Sequence, residues 1–232
     1  MTAAAPETPF SGVRGLQLPR MSRITTVGEM SNREFLETYA SAGRVGLVCG
    51  SFRVDKLIRR AQRHVNDGKE WGLWSHALIF QGERADGHHW VIESDLDIHH
   101  KHIRLGAQEN RISKYFDEAS FPHLAVLDFK LEPAQCRGVV HEGLEMVASR
   151  VRYSLRELLG TLFALRHPSF RAKENRLARD NSFYCSAFVQ HLFSKCGIHL
   201  VPDVEVKRNT PEDLFRSPVP HATYLLERKP AP

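Results

Sequence analysis

The sequence predicts an α+β fold, because helical and strand patterns are mixed along its 232 residues without a regular β-α-β alternation. A predicted β-hairpin in the first half and an apolar helix in the second half carry this prediction. The composition, 42% hydrophobic and 25% charged, is that of a globular protein, which excludes disordered, collagen-like and coiled-coil classes. A chain of this length buries enough surface for one sizeable core.

The first predicted elements are a helix, a buried strand and a second helix. Ser31 and Glu34 form a capping box at the start of a helix that ends near Gly43. The apolar run RVGLVCG, 44–50, predicts a short buried strand. Apolar residues recur at helical spacing over 55–65, which predicts the second helix.

Two short apolar runs then predict a hairpin. The runs HALIF, 76–80, and WVIE, 90–93, flank a loop that contains Asp86-Gly87, a pair typical of turns. The segment LAVLDFKL, 124–131, predicts a further strand, and Pro133 opens an amphipathic helix that runs to Val151.

The C-terminal third is predicted to begin with helices and to end with a strand. The segment 182–195 is apolar on almost every side, which is typical of a buried helix, and Gly197 follows as its C-terminal glycine. Thr210-Pro211 begins a short helix, and TYLLE, 223–227, predicts the last strand.

The composition divides the chain into a tail or loose wrap, 1–30, and a single domain, 31–232, with a basic helical insertion around 150–180. Between Arg150 and Arg179 there are eight basic and two acidic residues, a net charge of +6. Such a field favours an anionic partner, a phospholipid surface or a cell-wall polymer, and implies peripheral membrane contact. A solvated helical face would explain the charge equally, and the lack of interleaved aromatic residues argues against nucleic acid.

Targeting signals indicate where the protein is expected to reside, and cysteine spacing indicates whether disulfides or a zinc site are expected. The chain has no apolar run of about 18 residues, so no integral membrane segment is expected. Residues 1–10 lack the basic and apolar regions of a signal peptide. We therefore expect the protein to be cytoplasmic as synthesised. The alternative is export by a route that needs no cleaved leader, as for secreted interbacterial effectors. The four cysteines are scattered and form no CxxC pair, which argues against a disulfide scaffold and a zinc site.

Cys185 is the candidate nucleophile. It is predicted to lie in the first turn of the buried helix, after Asn181 and Ser182, either of which can cap the helix. The helix dipole there favours the thiolate form, and unpaired N–H groups can stabilise an oxyanion. A cysteine on this apolar stripe also suits simple core packing. The remaining cysteines are expected to be structural: Cys49, Cys136 and Cys196.

His76 is the candidate base and Glu93 its partner. If the hairpin pairs symmetrically about its loop, with Phe80 opposite His89, then His76 lies directly opposite Glu93. Opposed side chains share a face of the sheet about 5 Å apart, so the carboxylate can orient the imidazole. A cross-strand polar pair without catalytic function gives the same pattern.

A divalent metal site is the rival interpretation of the same region. In an extended strand, acidic and imidazole side chains would alternate onto common faces: Glu93, Asp95, Asp97, His99, His100 and His102. A polar loop accounts for this spacing equally well, and we predict no cofactor and no metal.

Three segments resemble motifs of circularly permuted papain-fold cysteine hydrolases, the YiiX-like group related to NlpC-type cell-wall peptidases. They are WSHALIF (74–80), WVIES (90–94) and FYCSAFV (183–189), in that order. The layout of the chain is similar to that of this group over roughly 44–220. Lecithin:retinol acyltransferase-like proteins are more distant relatives. Where many members have a Tyr-Asp pair before the cysteine helix, this chain has Tyr153-Ser154.

The resemblance implies a Cys185–His76–Glu93 triad and a permuted papain-like fold, an antiparallel sheet packed against a buried helix that carries the cysteine at its N-terminus. It implies hydrolysis of an amide bond, in a peptidoglycan stem peptide or another peptide or N-acyl substrate. One alternative is a lipid-directed acyl esterase or acyltransferase with the same triad. The other is a non-catalytic basic binding module on the same fold.

Overall fold

The central element of the fold is a seven-stranded sheet. The structure, a computed structural model, describes residues 23–62, 70–97, 104–149, 185–206 and 209–226. The strands are β1 (Arg23–Val27), β2 (Val45–Cys49), β3 (His76–Glu83), β4 (His89–Asp97), β5 (Arg104–Arg111), β6 (His123–Asp128) and β7 (Ala222–Leu226). The helices are α1 (Asn32–Tyr39), α2 (Arg53–Ala61), a 3-10 helix (Ile112–Tyr115), α3 (Pro133–Ala148), α4 (Cys185–Lys195) and α5 (Pro211–Phe215).

The strands are ordered β1-β7-β6-β2-β3-β4-β5, and every neighbouring pair except β1–β7 is antiparallel. Antiparallel pairing needs only short connections, so consecutive strands β3, β4 and β5 lie side by side. The α+β class predicted from the sequence is confirmed.

The sheet has an apolar core on each face. On one face, Leu47, Ile79 and Ile92 belong to the cluster that packs against α3 and α4. On the other face, Leu78 and Val91 pack with α1 and the 3-10 helix. Because side chains alternate along a strand, neighbours such as Leu78 and Ile79 supply opposite cores. The sheet therefore lies between two layers of helices.

Local signals in the sequence account for several element boundaries. The Ser31 hydroxyl accepts a hydrogen bond from the Glu34 N–H at 3.2 Å, and the Glu34 carboxylate accepts from the Ser31 N–H at 2.8 Å, which confirms the predicted capping box. Thr210 caps α5 in the same way. Gly197 follows α4 with φ +76°, the left-handed conformation expected of a helix-terminating glycine.

Other boundaries and elements differ from the predictions. Residues 23–27, which the composition placed in the tail, form β1, since this RITTV segment has the β-branched residues that favour pairing with β7. The predicted strand 124–131 ends at Asp128, because Lys130 adopts φ +54°. The strand β5 was not predicted, because RLGAQENR lacks an apolar alternation. Residues 1–22, the basic insertion 150–180 and the caps Asn181 and Ser182 lie outside the described residues.

The predicted register of the β3–β4 hairpin is wrong, although the hairpin itself forms. Glu93 lies opposite Leu78 instead of His76. The strand β3 extends three residues further than the apolar run, to Glu83, which pairs with His89. A β-bulge between Phe80 and Gly82 then takes up one residue, so the net shift in register is two.

The bulge determines the face on which Glu93 lies. Without it, the shift would be three, and Glu93 would face Ile79 on the α3–α4 side of the sheet. With it, the shift is even, so Glu93 stays on the same face as His76, diagonally across the two strands.

The bulge depends on Gly82, which has φ +85°. We expect Gly82→Val to lower the free energy of unfolding by about 1–2 kcal/mol or more, because this backbone region is strained for a β-branched residue. A Cβ built at this position would lie 3.4 Å from its nearest neighbours, so the cost is conformational rather than steric. Gly82→Asn should cost less, since asparagine tolerates this conformation. Urea denaturation of the two variants measures the difference, and a Gly82→Val protein as stable as the wild type would contradict it.

Candidate active site

A buried carboxylate, that of Glu93, lies at the centre of the candidate site. Its side chain is 0% exposed. Oε1 accepts hydrogen bonds from Asn110 Nδ2 at 2.6 Å and from Lys114 Nζ at 2.7 Å. Oε2 accepts from His76 Nε2 at 2.6 Å and from the Tyr115 hydroxyl. Four donors therefore replace the water that a buried carboxylate loses.

Lys114 links Glu93 to a second carboxylate. Its ammonium group lies 2.5 Å from Oδ2 of Asp95, in addition to the bond with Glu93. Asp95 is two residues from Glu93 along β4, so both side chains leave the same face of the strand. The ammonium group thus neutralises part of the negative charge next to His76.

The charges in this cluster stabilise one another. Burial alone would raise the pKa of Glu93, but the charge of Lys114 and the bond from His76 hold that pKa below its usual range. Burial likewise opposes the charged form of Lys114, yet Glu93 and Asp95 raise the pKa of its ammonium group. Burial, followed by the charge of Glu93, raises the pKa of Tyr115 well above 10, so its hydroxyl remains a donor.

His76 is held between Glu93 and Cys185. Burial alone would lower the pKa of the imidazole, but the charge of Asp95 and hydrogen bonds with Cys185 and Glu93 raise it well above 6.5. The His76 side chain is 14% exposed, and its ring stacks against that of Tyr115 at a centroid distance of 6.4 Å. Because Nε2 bonds to Glu93, Nδ1 is the nitrogen that remains for the thiol.

Cys185 is the first residue of α4, and its side chain is partly buried. The residues that follow it in α4 are buried: Ser186, Ala187, Phe188, Val189 and Gln190. The Ser186 hydroxyl donates a 2.7 Å hydrogen bond to the Asn209 carbonyl, which fixes the first turn of α4 to the segment before α5. Of the three residues that the sequence predicted, His76 and Glu93 are joined by a hydrogen bond, and Cys185 lies close enough to His76 to raise the pKa of its imidazole.

The segment before His76 is fixed by buried polar contacts. Ser75 donates its hydroxyl to the Val48 carbonyl at 3.2 Å and accepts from the Gly50 N–H at 2.9 Å. The buried Glu212 accepts from the Leu73 N–H at 2.9 Å, and burial raises the pKa of its carboxyl group. These contacts fix the backbone on the N-terminal side of His76.

Two bonds of Gln62 continue this network. Its amide donates to the Trp74 carbonyl at 2.7 Å, and its side-chain oxygen accepts from the Glu212 N–H at 2.9 Å. Trp74 is 0% exposed and packs against Phe215, with ring centroids 5.5 Å apart. The Thr-Pro-Glu-Asp-Leu segment, 210–214, therefore supports the strand that carries the imidazole.

The other cysteines lie in different environments. Burial raises the pKa of Cys49 to about 11, and it also raises the pKa values of Cys136 and Cys196. A raised pKa keeps a thiol protonated and weakly nucleophilic at neutral pH. All four cysteines are free.

Three site residues were missed by the sequence reasoning: Asn110, Lys114 and Tyr115. Asn110 lies on the unpredicted β5, and the other two lie in the 3-10 helix that follows it. The dense polar sequence of this region is the only signal for them, and it does not distinguish a site from a surface loop. The β4–β5 pairing, with Val91 opposite Asn110, delivers them to Glu93.

A cation fits this cluster poorly. One ligand atom from each of His76, Glu93 and Asp95 lies within 4.8 Å of the others, a donor set suited to a transition metal. The Lys114 ammonium group already bridges Glu93 and Asp95, so the place of a cation is held by a side chain. The side chain of Asp97 and residues 98–103, which include the other candidate ligands His99, His100 and His102, lie outside the described residues.

A comparison with solved structures identifies a protein of similar fold, whereas comparisons with protein families and curated proteins find no match. No protein-family model matches the chain, and a search of the curated proteins finds no match. Among solved structures, the crystal structure of metalloprotein yiiX from Escherichia coli O157:H7 matches with a TM-score of 0.51 and 10% sequence identity. The match covers 82% of this chain and 98% of that one. The fold is YiiX-like. At this identity, the likeness concerns the fold alone.

None of the helices in the described part of the chain combines the length and apolar character needed to cross a bilayer.

The ammonium group of Lys114 should be essential to the stability of the cluster. We expect Lys114→Met to lower the free energy of unfolding by about 3–5 kcal/mol at neutral pH, because it leaves Glu93 buried without its cation. The lowered pKa of Glu93 adds stability above the usual carboxyl pKa that is lost as the pH falls. The difference between variant and wild type should therefore shrink in acid.

Lys130→Met is the matched control. Lys130 bonds to Asp128 at 2.6 Å, but its side chain is 66% exposed, so the same substitution should cost about 1 kcal/mol or less. Urea denaturation from neutral to acidic pH compares the two variants. Equal costs, or a Lys114→Met cost that does not change with pH, would contradict this account of the cluster.

Proposed function

We propose that the protein is a thiol hydrolase that cleaves an amide bond with a Cys185–His76–Glu93 triad on a permuted papain-like fold. The observation that carries the proposal is the His76 ring, which bonds to a buried carboxylate through Nε2 and interacts with the Cys185 thiol. A nucleophile, a base and a group that orients the base are the three parts that nucleophilic catalysis requires.

The proposed reaction begins with proton transfer from the Cys185 thiol to Nδ1 of His76. The thiolate attacks the carbonyl carbon of the substrate, so that a C–S bond forms and the carbonyl oxygen becomes an oxyanion. When the tetrahedral intermediate collapses, the C–N bond breaks and the His76 imidazolium gives its proton to the leaving amine. Water, deprotonated by His76, then hydrolyses the thioester and frees Cys185.

In this proposal, the start of α4 stabilises the oxyanion. The first N–H groups of a helix have no partner within the helix, and they carry the positive end of its dipole. Those nearest Cys185 suit the charge that forms on the attacked carbonyl. Glu93, fixed by Asn110, Lys114 and Tyr115, holds the His76 ring in one orientation and favours its protonated form.

A peptide or N-acyl amide is the proposed substrate class, with peptidoglycan stem peptides as the leading example. Support comes from the resemblance of the three motifs to cell-wall hydrolases and from the YiiX-like fold. A lipid acyl ester is the second candidate, since the same triad can attack an ester carbonyl. The exposed basic and apolar side chains of α2 are the specific observation that favours it.

Metal chemistry is not included in the proposal. The yiiX protein of the solved structure is described as a metalloprotein, and His76, Glu93 and Asp95 offer ligand atoms in this chain. The Lys114 ammonium group lies against both carboxylates, and His76 bonds to one of them, so both carboxylates already have partners within the chain.

The proposal predicts that Cys185→Ala abolishes turnover and leaves the fold intact. The purified protein is incubated with cell-wall fragments and with phospholipids, and products and covalent adducts are followed by mass spectrometry. Loss of the thiol should reduce turnover on the order of a thousandfold or more, because no other group replaces the nucleophile. The intact wild-type mass should show an acyl adduct on Cys185 during turnover.

Cys196→Ala is the matched control. It removes the thiol that directly follows the last residue of α4, and it should retain activity. Thermal unfolding monitored by circular dichroism shows whether either variant disturbs the fold. Full activity of Cys185→Ala on a substrate that the wild type cleaves would falsify the assignment of the nucleophile.

A further inference from the structure

The outer face of α2 is an unusual surface. No residue of this helix is buried. Four exposed residues, Arg53, Lys56, Leu57 and Arg60, are spaced three, four and seven positions apart, so they form one stripe along the helix. The opposite side of α2 packs more closely, with Val54 and Ile58 partly buried.

The three cations of this stripe are available to a partner. Within the described residues, Arg53, Lys56 and Arg60 form no ion pair. By contrast, Arg33 is paired with Glu37 on α1, and Arg44 is paired with Asp128. Among the residues that the structure describes, the stripe therefore carries positive charge that no ion pair neutralises.

Apolar side chains lie among these charges. In the described part of the chain, the large apolar side chains that are exposed are Phe52 at 50%, Leu57 at 57% and Trp71 at 41%. All of them belong to or adjoin α2: Phe52 is its N-cap residue, and the Arg60 guanidinium lies 6.0 Å from the centre of the Trp71 ring. Exposed apolar groups that cluster at one place mark an interaction surface.

We propose that this α2 surface binds the face of an anionic phospholipid bilayer. It is defined by Phe52, Arg53, Lys56, Leu57, Arg60 and Trp71. Basic residues interleaved with leucine and aromatic residues are the pattern of helices that lie in a membrane interface. The cations would contact lipid phosphates, and the apolar side chains would enter the headgroup region. An exposed helix face, unlike a groove, suits such a flat partner.

Packed side chains connect the α2 surface to the candidate active site. The Phe52 ring lies 6.3 Å from that of Phe121, which lies 5.0 Å from that of Tyr115, a hydrogen-bond donor to Glu93. The Gly50 N–H, two residues before Phe52, donates to Ser75, the neighbour of His76. Binding through α2 would therefore hold the proposed site close to the bilayer.

Vesicle sedimentation tests the proposal with the full-length protein. Vesicles of phosphatidylcholine alone are compared with vesicles that also contain phosphatidylglycerol, at low and at high salt. We expect binding only to the anionic vesicles, and we expect salt to weaken it. The double substitution Lys56→Glu, Arg60→Glu should weaken binding by about tenfold or more, since each cation near an anionic surface contributes. Leu57→Ser should weaken binding by about three- to tenfold through lost apolar burial.

The matched control is the double substitution Arg137→Glu, Lys195→Glu. It makes the same change in net charge at exposed residues on α3 and α4. These residues also form no ion pair within the described ranges, and binding should be close to that of the wild type. The milder pair Lys56→Gln, Arg60→Gln avoids like charges along the helix and should give an intermediate loss.

The vesicle experiment does not depend on catalysis, so Cys185→Ala protein should bind as the wild type does. Three results would overturn the proposal: absence of binding, equal binding to neutral vesicles, or an equal loss in the control pair. Sedimentation of the protein without vesicles identifies the competing occupant. A dimer that dissociates on substitution of Leu57 would assign the surface to a second copy of the chain and would also overturn it.

Discussion

The site depends on one constraint, the burial of an ionised carboxylate. Glu93 is 0% exposed, and a charge in that position is tolerated only if bonds and opposite charge replace its water. Lys114 supplies the charge, while Asn110, Tyr115 and His76 supply the remaining donors. Removal of any of these groups weakens the restraint on the imidazole. The cluster therefore links the stability of the β4–β5 region to the orientation of His76.

The face of the sheet on which Glu93 lies depends on whether the register of the β3–β4 pairing shifts by an odd or an even number of residues. One bulge in β3 decides whether Glu93 shares a face with His76 or with the apolar core under α3 and α4. The bulge requires a residue with positive φ, which Gly82 provides at +85°. A local feature of the backbone, six residues from the imidazole along the chain, is thus needed to form the polar cluster.

Part of this arrangement could be predicted from the sequence. Short-range signals were reliable: the Ser31–Glu34 capping box, the buried strand β2 and the glycine after α4 are all present. The contact between His76 and Glu93 was also predicted, but from a register that is wrong by two, and the even error preserved the shared face. The pairing of β5 with β4 could not be predicted from the sequence, because β5 has no apolar alternation. Its Asn110 and the following Lys114 could therefore not be assigned to the site.

The central claim, that the Glu93 cluster orients the His76 ring and raises its pKa beside Cys185, is tested most directly by NMR titration of the imidazole nitrogens. His76, one of 13 histidines, is assigned from the signal that is lost in His76→Gln protein. Its pKa should lie well above 6.5 in the wild type and should fall in Glu93→Gln, which keeps the shape but removes the charge. A His76 that titrates at or below 6.5 in the wild type and does not respond to Glu93→Gln would contradict the account.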